Sequence, residues 1–178
     1  MKYTRMLHSR LFLGMIGGGL LVAALAQVFL PGLVLEVWDT RAGDLLLSFS
    51  VKKGDRFLLL YTHSTAKTIV EEHFKVAGSR DIILTRMVYS SGGAGIPDLP
   101  PAGANFRIGR DGRFVMDGLN KKFRSLNNIR VAYFYPFLLE LEGARHNLSE
   151  IARGRLVDIE VRHWVTSALE RFSGGSER

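Results

Sequence analysis

The sequence predicts an all-β domain, a β-sandwich or small barrel-like fold, set behind one N-terminal transmembrane or signal helix and ahead of a short C-terminal helix. Three observations predict it. Short apolar or alternating runs recur at a spacing of about 8–12 residues with turn residues between them, the mark of strands in a sandwich or barrel. No stretch between Leu33 and Asn120 carries a convincing helical repeat of apolar residues. Residues 11–30 contain no charge at all. The resulting division is an N-terminal segment over 1–32, a β domain over 33–162, and a helix with a tail over 163–178.

Residues 11–30 (LFLGMIGGGLLVAALAQVFL) are apolar except for Gln27. Twenty residues of helix rise roughly 30 Å, which matches the hydrocarbon core of a bilayer. Lys2, Arg5 and Arg10 precede the run and Glu36 and Asp39 are the first charges after it, so the positive-inside bias sends everything beyond Pro31 out of the cytoplasm. The expected location is the cytoplasmic membrane, single-pass, with a periplasmic C-terminal domain. Ala24-Leu25-Ala26 also has the small-x-small form that a signal peptidase reads, and cleavage after Ala26 would give a secreted chain instead.

The strand candidates follow in order. Leu33–Trp38, Leu45–Val51 and Arg56–Ser64 are separated by Asp39–Asp44 and by the compact turn Lys52-Lys53-Gly54-Asp55. Thr68–Val76 and Asp81–Ser90 continue the pattern around Ala77-Gly78-Ser79. Ser91–Asn105 holds four glycines and three prolines, which makes it a loop and not a ladder strand. Phe106–Ile108 and Arg113–Met116 flank Asp111-Gly112, a strong hairpin signal, and Ile129–Tyr135 and Leu156–Val161 complete the set. At His163–Phe172, Trp164, Val165, Ala168, Leu169 and Phe172 fall on one helical face, expected to cap the domain's own core.

The 178 residues include no cysteine, which excludes a disulfide framework, a thiolate metal site and a cysteine nucleophile. The net charge of +7 concentrates in residues 107–130, where seven basic residues meet only Asp111 and Asp117. No zinc finger, helix-turn-helix or aromatic RNA-reading pattern accompanies that patch, so no nucleic acid is expected as a partner.

The densest polar constellation runs from Tyr61 to Phe74 (YTHSTAKTIVEEHF). If Thr65-Ala66-Lys67 is a three-residue hairpin loop, Tyr61 faces Glu71, His63 faces Ile69 and His73 lies diagonal to Tyr61, with Leu58, Leu60, Val70 and Phe74 as the core stripe. A two-residue loop sets Tyr61 against Glu72. Either register places a carboxylate beside Tyr61 and within reach of His63. Such a group could bind a ligand or partner, or do acid–base work; a hydrogen-bonded cluster on a solvated sheet face is the plainer reading. A serine hydrolase is not expected. His63 and Ser64 would alternate across a strand, and there is no GxSxG elbow. His63, His73, His146 and His163 lack the ligand spacing of a zinc site, so neither a metal nor a cofactor is expected. Ser90–Pro97 (SSGGAGIP) is the second feature, a glycine-rich loop able to approach another backbone closely or to cradle an anion.

These two stretches resemble the DUF1850 family of small exported bacterial proteins. The family pattern of Tyr-x-His-Ser, Lys-Thr, Val-x-Glu-x-Phe and Gly-Ala-Gly-hydrophobic-Pro falls here on Tyr61, His63, Ser64, Lys67, Thr68, Val70, Glu72, Phe74, Gly93, Ala94, Gly95 and Pro97. The likeness spans roughly Leu33 to Val161 and favours Glu72 over Glu71. It departs at Ile69, where the family often has Pro. The resemblance implies a non-catalytic accessory to a TRAP-class transporter, meeting its membrane subunit or a TAXI-type solute-binding protein. The contact residues so implied are Tyr61, His63, Ser64, Lys67, Glu72, Gly93, Gly95 and Pro97. The alternative is an exported hydrolytic or metal-assisted enzyme that uses His63 and Glu72.

Overall fold

The computed structural model describes residues 32–90 and 100–172. The strands are β1 (Leu33–Asp39), β2 (Leu45–Val51), β3 (Arg56–Thr62), β4 (Ile69–Gly78), β5 (Asp81–Tyr89), β6 (Asn105–Ile108), β7 (Phe114–Phe123), β8 (Ser125–Arg130), β9 (Phe137–Leu141), β10 (Ala144–Asn147) and β11 (Leu156–His163). Two helices are added, α1 (Leu148–Ile151) and α2 (Trp164–Phe172). They build two antiparallel sheets, one of four strands in the order β2-β1-β11-β8 and one of seven in the order β10-β9-β3-β4-β5-β7-β6. The domain is therefore mostly β, as its sequence pattern predicts.

Alternation explains which faces meet. Leu35 and Val37 of β1 with Val157, Ile159 and Val161 of β11 turn inward from the small sheet; Phe57, Leu59, Val70, Phe74, Ile82, Met116 and Leu139 turn inward from the large one. All share one buried cluster, in which Phe57 stacks on Phe74 at 5.0 Å between ring centroids. Burying each such side chain contributes about 1.5–3 kcal/mol, which makes this shared layer the main source of stability.

Three parts of the pattern differ from expectation. The strand expected at Ile129–Tyr135 lies earlier, at β8, and Tyr133, Phe134 and Tyr135 are exposed in the segment after it. Asn128 adopts positive φ and donates its N–H to the Asp158 carboxylate, so β8 carries an irregularity that interrupts its alternation. The β9–β10 hairpin was not expected. It turns through Glu142-Gly143, both at positive φ, a two-residue reversal in which Gly143 is the only cue. The third difference is α2. Its apolar stripe does not cap the core: Val165, Leu169 and Phe172 are 56%, 63% and 89% exposed.

The apolar run over 11–30 and the loop residues Gly93, Gly95 and Pro97 lie outside the described residues. Among the described residues no helix is long and apolar enough to cross a membrane.

Candidate functional site

The register of β3 against β4 decides which side chains meet. Tyr61 pairs with Val70 and Leu59 with Glu72, a pattern that neither expected loop length produces. The reason is the turn. His63 N–H donates to Thr68 O (2.9 Å) and Lys67 N–H to His63 O (2.9 Å), so the reversal spans Ser64 to Lys67, with Lys67 at positive φ. The extra loop residue moves the partner of Tyr61 to Val70 and exchanges the two faces of β4. Phe57, Leu59, Tyr61, Val70, Glu72 and Phe74 now share the inner face. Leu58, Leu60, Glu71 and His73 take the outer one, so the expected core stripe of Leu58 and Leu60 is corrected to Phe57 and Leu59.

The correction separates the two glutamates. Glu71 lies outside in an ion network, paired with Arg113, which also holds Asp111 at 2.6 Å, and standing 3.6 Å from His73 Nε2. Glu72 lies inside beside Tyr61, diagonal to it across the ladder, and accepts a hydrogen bond from its hydroxyl. His73 therefore leaves the Tyr61 group. Burial lowers its pKa, and Arg86 lowers it further against the pull of Glu71.

Tyr61, His63, Ser64 and Glu72 line one cavity of about 430 Å³, completed by Leu59, Thr62 and Phe137 from the large sheet side and by Ile129, Arg130 and Ala132 from β8 and the segment after it. Tyr61 stacks on Phe137 at 5.3 Å with nearly parallel rings. A second cavity of about 810 Å³ adjoins it, sharing Glu72 and Ile129. Its wall includes Phe74, Leu84, Met87, Leu119, Lys121 and Leu126. This wall is opened by β7, where three residues from Gly118 to Asn120 fall between the β5 pairings Leu84–Lys121 and Arg86–Asp117. Gly118 has φ of +75° there, a conformation that side chains other than glycine adopt only under strain.

Glu72 is thus the midpoint of a cleft between the edge strand β8 of the small sheet and the middle of the large one. Burial raises its pKa, while the Tyr61 hydrogen bond and the charge of Lys121 pull it down. Burial also pushes the Tyr61 phenol far above its ordinary value, and the neighbouring Glu72 charge adds to the shift. A desolvated carboxylate in a cleft costs stability that a purely structural residue would not, which is a mark of function.

His63 is held by its own loop. Its Nδ1 accepts the Ala66 N–H at 3.2 Å, which leaves the ring hydrogen on Nε2. Ser64 has left the strand and lines the same cavity, so strand alternation does not part it from His63 as expected. The imidazole is nonetheless in the wrong tautomer to serve that hydroxyl as a base, because Nε2 is a donor and Nδ1 is engaged. Among the described residues no group of three or more His, Asp or Glu is placed to hold a metal ion.

Lys67 does not line the cleft. Its ammonium sits over the Tyr135 ring, 5.4 Å from the centroid, and ties the hairpin loop to the aromatic segment. That segment is what the sequence reading missed. Tyr133, Phe134 (86% exposed) and Tyr135 lie in the chain between Ala132 and Phe137, which line the cleft, and Ser149 braces the segment, accepting from Phe137 N–H and donating to Tyr135 O, both at 3.0 Å. The signal was present as Tyr-Phe-Tyr-Pro, where the proline argues against a ladder strand.

Two cations of the basic stretch, Arg107 and Arg113, meet carboxylates. Arg107 and Arg86 both reach Asp117 at 3.3 Å, and Arg113 is shared between Glu71 and Asp111.

The model of the DUF1850 domain of unknown function matches residues 57–148, just over half of the chain. The chain belongs to the DUF1850 family. The DUF1850 match covers β3 through β10 and so includes every residue lining the cleft, while β1, β2 and β11, which close the core from the other side, lie outside it. No curated protein and no solved structure matches the chain significantly.

Proposed function

We propose that this DUF1850 protein is a non-catalytic binding module, exported and held at the outer side of the cytoplasmic membrane by residues 11–30. We further propose that it serves a TRAP-class transporter as an accessory, meeting the membrane subunit or a TAXI-type solute-binding protein. The single observation that supports binding is the cleft at Glu72: a largely apolar recess, one desolvated carboxylate, the Tyr61 phenol and the His63 imidazole, with exposed aromatics in the chain segment that joins its lining residues Ala132 and Phe137. That combination suits a partner segment inserting an apolar side chain and offering a hydrogen-bond donor to Glu72. Exposed aromatics around a recess are the usual anchors of such contacts. The tautomer of His63 argues against the hydrolytic alternative with Glu72, because Nδ1 is engaged by the Ala66 N–H and Nε2 carries the ring hydrogen, which leaves neither nitrogen to act as the base.

The test is co-purification from native membranes. Transporter subunits are expected with the full chain and are expected to be lost with the His63→Ala, Glu72→Ala double variant, its fold checked by thermal melting. Undiminished association with the folded variant removes the proposal. Turnover of an ester or peptide library that depends on His63 would favour the enzyme instead.

A further inference from the structure

Helix α2 is inverted. Its polar side, Ser167, Glu170 and Arg171, faces the small sheet, where Glu36 is fully buried and accepts the Ser167 hydroxyl hydrogen, and Arg171 lies 4.0 Å from the same carboxylate. Arg162, 4% exposed on β11, pairs with Glu170 at 2.5 Å and with Glu160 at 3.6 Å. Buried charges therefore stand among Val34 and Trp38 on the outer face of this sheet, and the polar side of α2 turns to meet them. The apolar residues of α2 are left on the other side. Val165, Leu169 and Phe172 follow one another by four and three residues and form one stripe that no described residue covers.

What lies nearest that stripe in the chain is the apolar run. Gly32 O accepts the Trp164 N–H at 3.4 Å and stands 3.1 Å from His163 Nδ1, so the first turn of α2 sits where the chain enters the domain. Leu30 is two residues earlier, at most about 7 Å of extended chain away. If residues 11–30 cross a bilayer, α2 begins at its surface. Among the described residues no acid beside the stripe opposes that surface, because Glu170 is engaged by Arg162, and Arg171 is 38% exposed on its side chain.

We infer that α2 is an interfacial helix whose Val165–Leu169–Phe172 stripe inserts into the lipid surface beside the anchor and fixes the tilt of the domain. This rests on the anchored reading proposed above. Polar contacts weld α2 to the sheet through Glu36 and Arg162, so lipid insertion orients the whole domain and not the helix alone. The cleft at Glu72 is then presented at a set height and direction from the membrane, which a freely rotating domain could not do.

The chain has no cysteine, so single nitroxide labels can be placed through Leu169→Cys, Phe172→Cys and, as a control on the exposed polar flank, Thr166→Cys. The full chain is reconstituted in vesicles of phosphatidylethanolamine and phosphatidylglycerol. Labels at 169 and 172 are expected to collide with a water-soluble nickel chelate roughly fivefold less often than the label at 166, and more often with oxygen, as for a helix lying at the acyl boundary. Equal nickel accessibility at all three positions overturns the inference. Spin–spin broadening at 169 that survives dilution into excess lipid also overturns it, because a second copy would then cover the stripe. Alkaline carbonate extraction of native membranes reports separately on the anchor. Retention with wet labels sinks the interfacial helix alone, whereas release of the chain into the supernatant sinks the anchored reading with it.

Discussion

Tyr61→Phe isolates the hydrogen bond at the centre of the cleft. The phenyl ring keeps its stacking on Phe137, so the variant removes only the hydroxyl that Glu72 accepts. A hydrogen bond to a charged group contributes about 1.5–3 kcal/mol and one to a neutral group about 0.5–1.5 kcal/mol. The cost of the variant should therefore grow with pH, from about 1 kcal/mol where Glu72 is protonated to about 2 kcal/mol where it is ionised. For a domain of this size each kcal/mol corresponds to roughly 3–5 °C of melting temperature. Urea unfolding across the pH range, on wild type, Tyr61→Phe, Glu72→Gln and the double variant, measures the coupling directly. In the Glu72→Gln background the cost of losing the hydroxyl should become small and independent of pH. A Tyr61→Phe cost that is flat with pH, or unchanged in that background, would refute the placement of the two side chains.

Two further outcomes are expected. Because burial raises the pKa of Glu72, the native state keeps a proton that the unfolded chain releases near 4.5, so this residue makes stability fall as pH rises through that window. Glu72→Gln should remove the fall and raise the melting temperature at neutral pH. His73, lowered by burial, contributes the opposite slope below its ordinary 6.5, so the effect is read as a difference between variants and not from one curve. Ser149→Ala strips a partner from the buried Phe137 N–H and from Tyr135 O; at about 1–3 kcal/mol for each orphaned group, a loss of about 2 kcal/mol is expected by denaturant titration, and a loss below about 0.5 kcal/mol would count against the brace.

Local chemistry made most of the strands readable. Leu33–Trp38, Leu45–Val51 and Asp81–Ser90 sit within a residue or so of β1, β2 and β5 because alternation and turn residues are written side by side in the chain. The arrangement of the candidate site was less legible, and Lys67 stands apart from the cavity. Tyr61, His63, Ser64 and Glu72 do share a cavity, yet the loop length that brings them there depends on Lys67 adopting positive φ and on His63 capping Ala66, choices that the residue types permit without requiring. The far wall was hidden for another reason. Ile129, Arg130 and Phe137 reach the cleft through the β8–β11 and β3–β9 pairings, which join residues distant in sequence. The inverted α2 shows a related limit. A helical stripe reveals that one side of the helix is apolar, but only the charges buried beneath it, Glu36 and Arg162, reveal which side must turn inward.

The two layers are unequal, four strands against seven, and the recess opens where the shorter one stops, at β8. Such an overhang comes from mismatch in width, widened by the extra residues of β7 at Gly118. Phe74, Leu84 and Met87 along the uncovered shelf also belong to the shared core, so a docking guest would rest directly on the interior. Recess and frame are thus made of the same side chains, and refitting one means repacking the other.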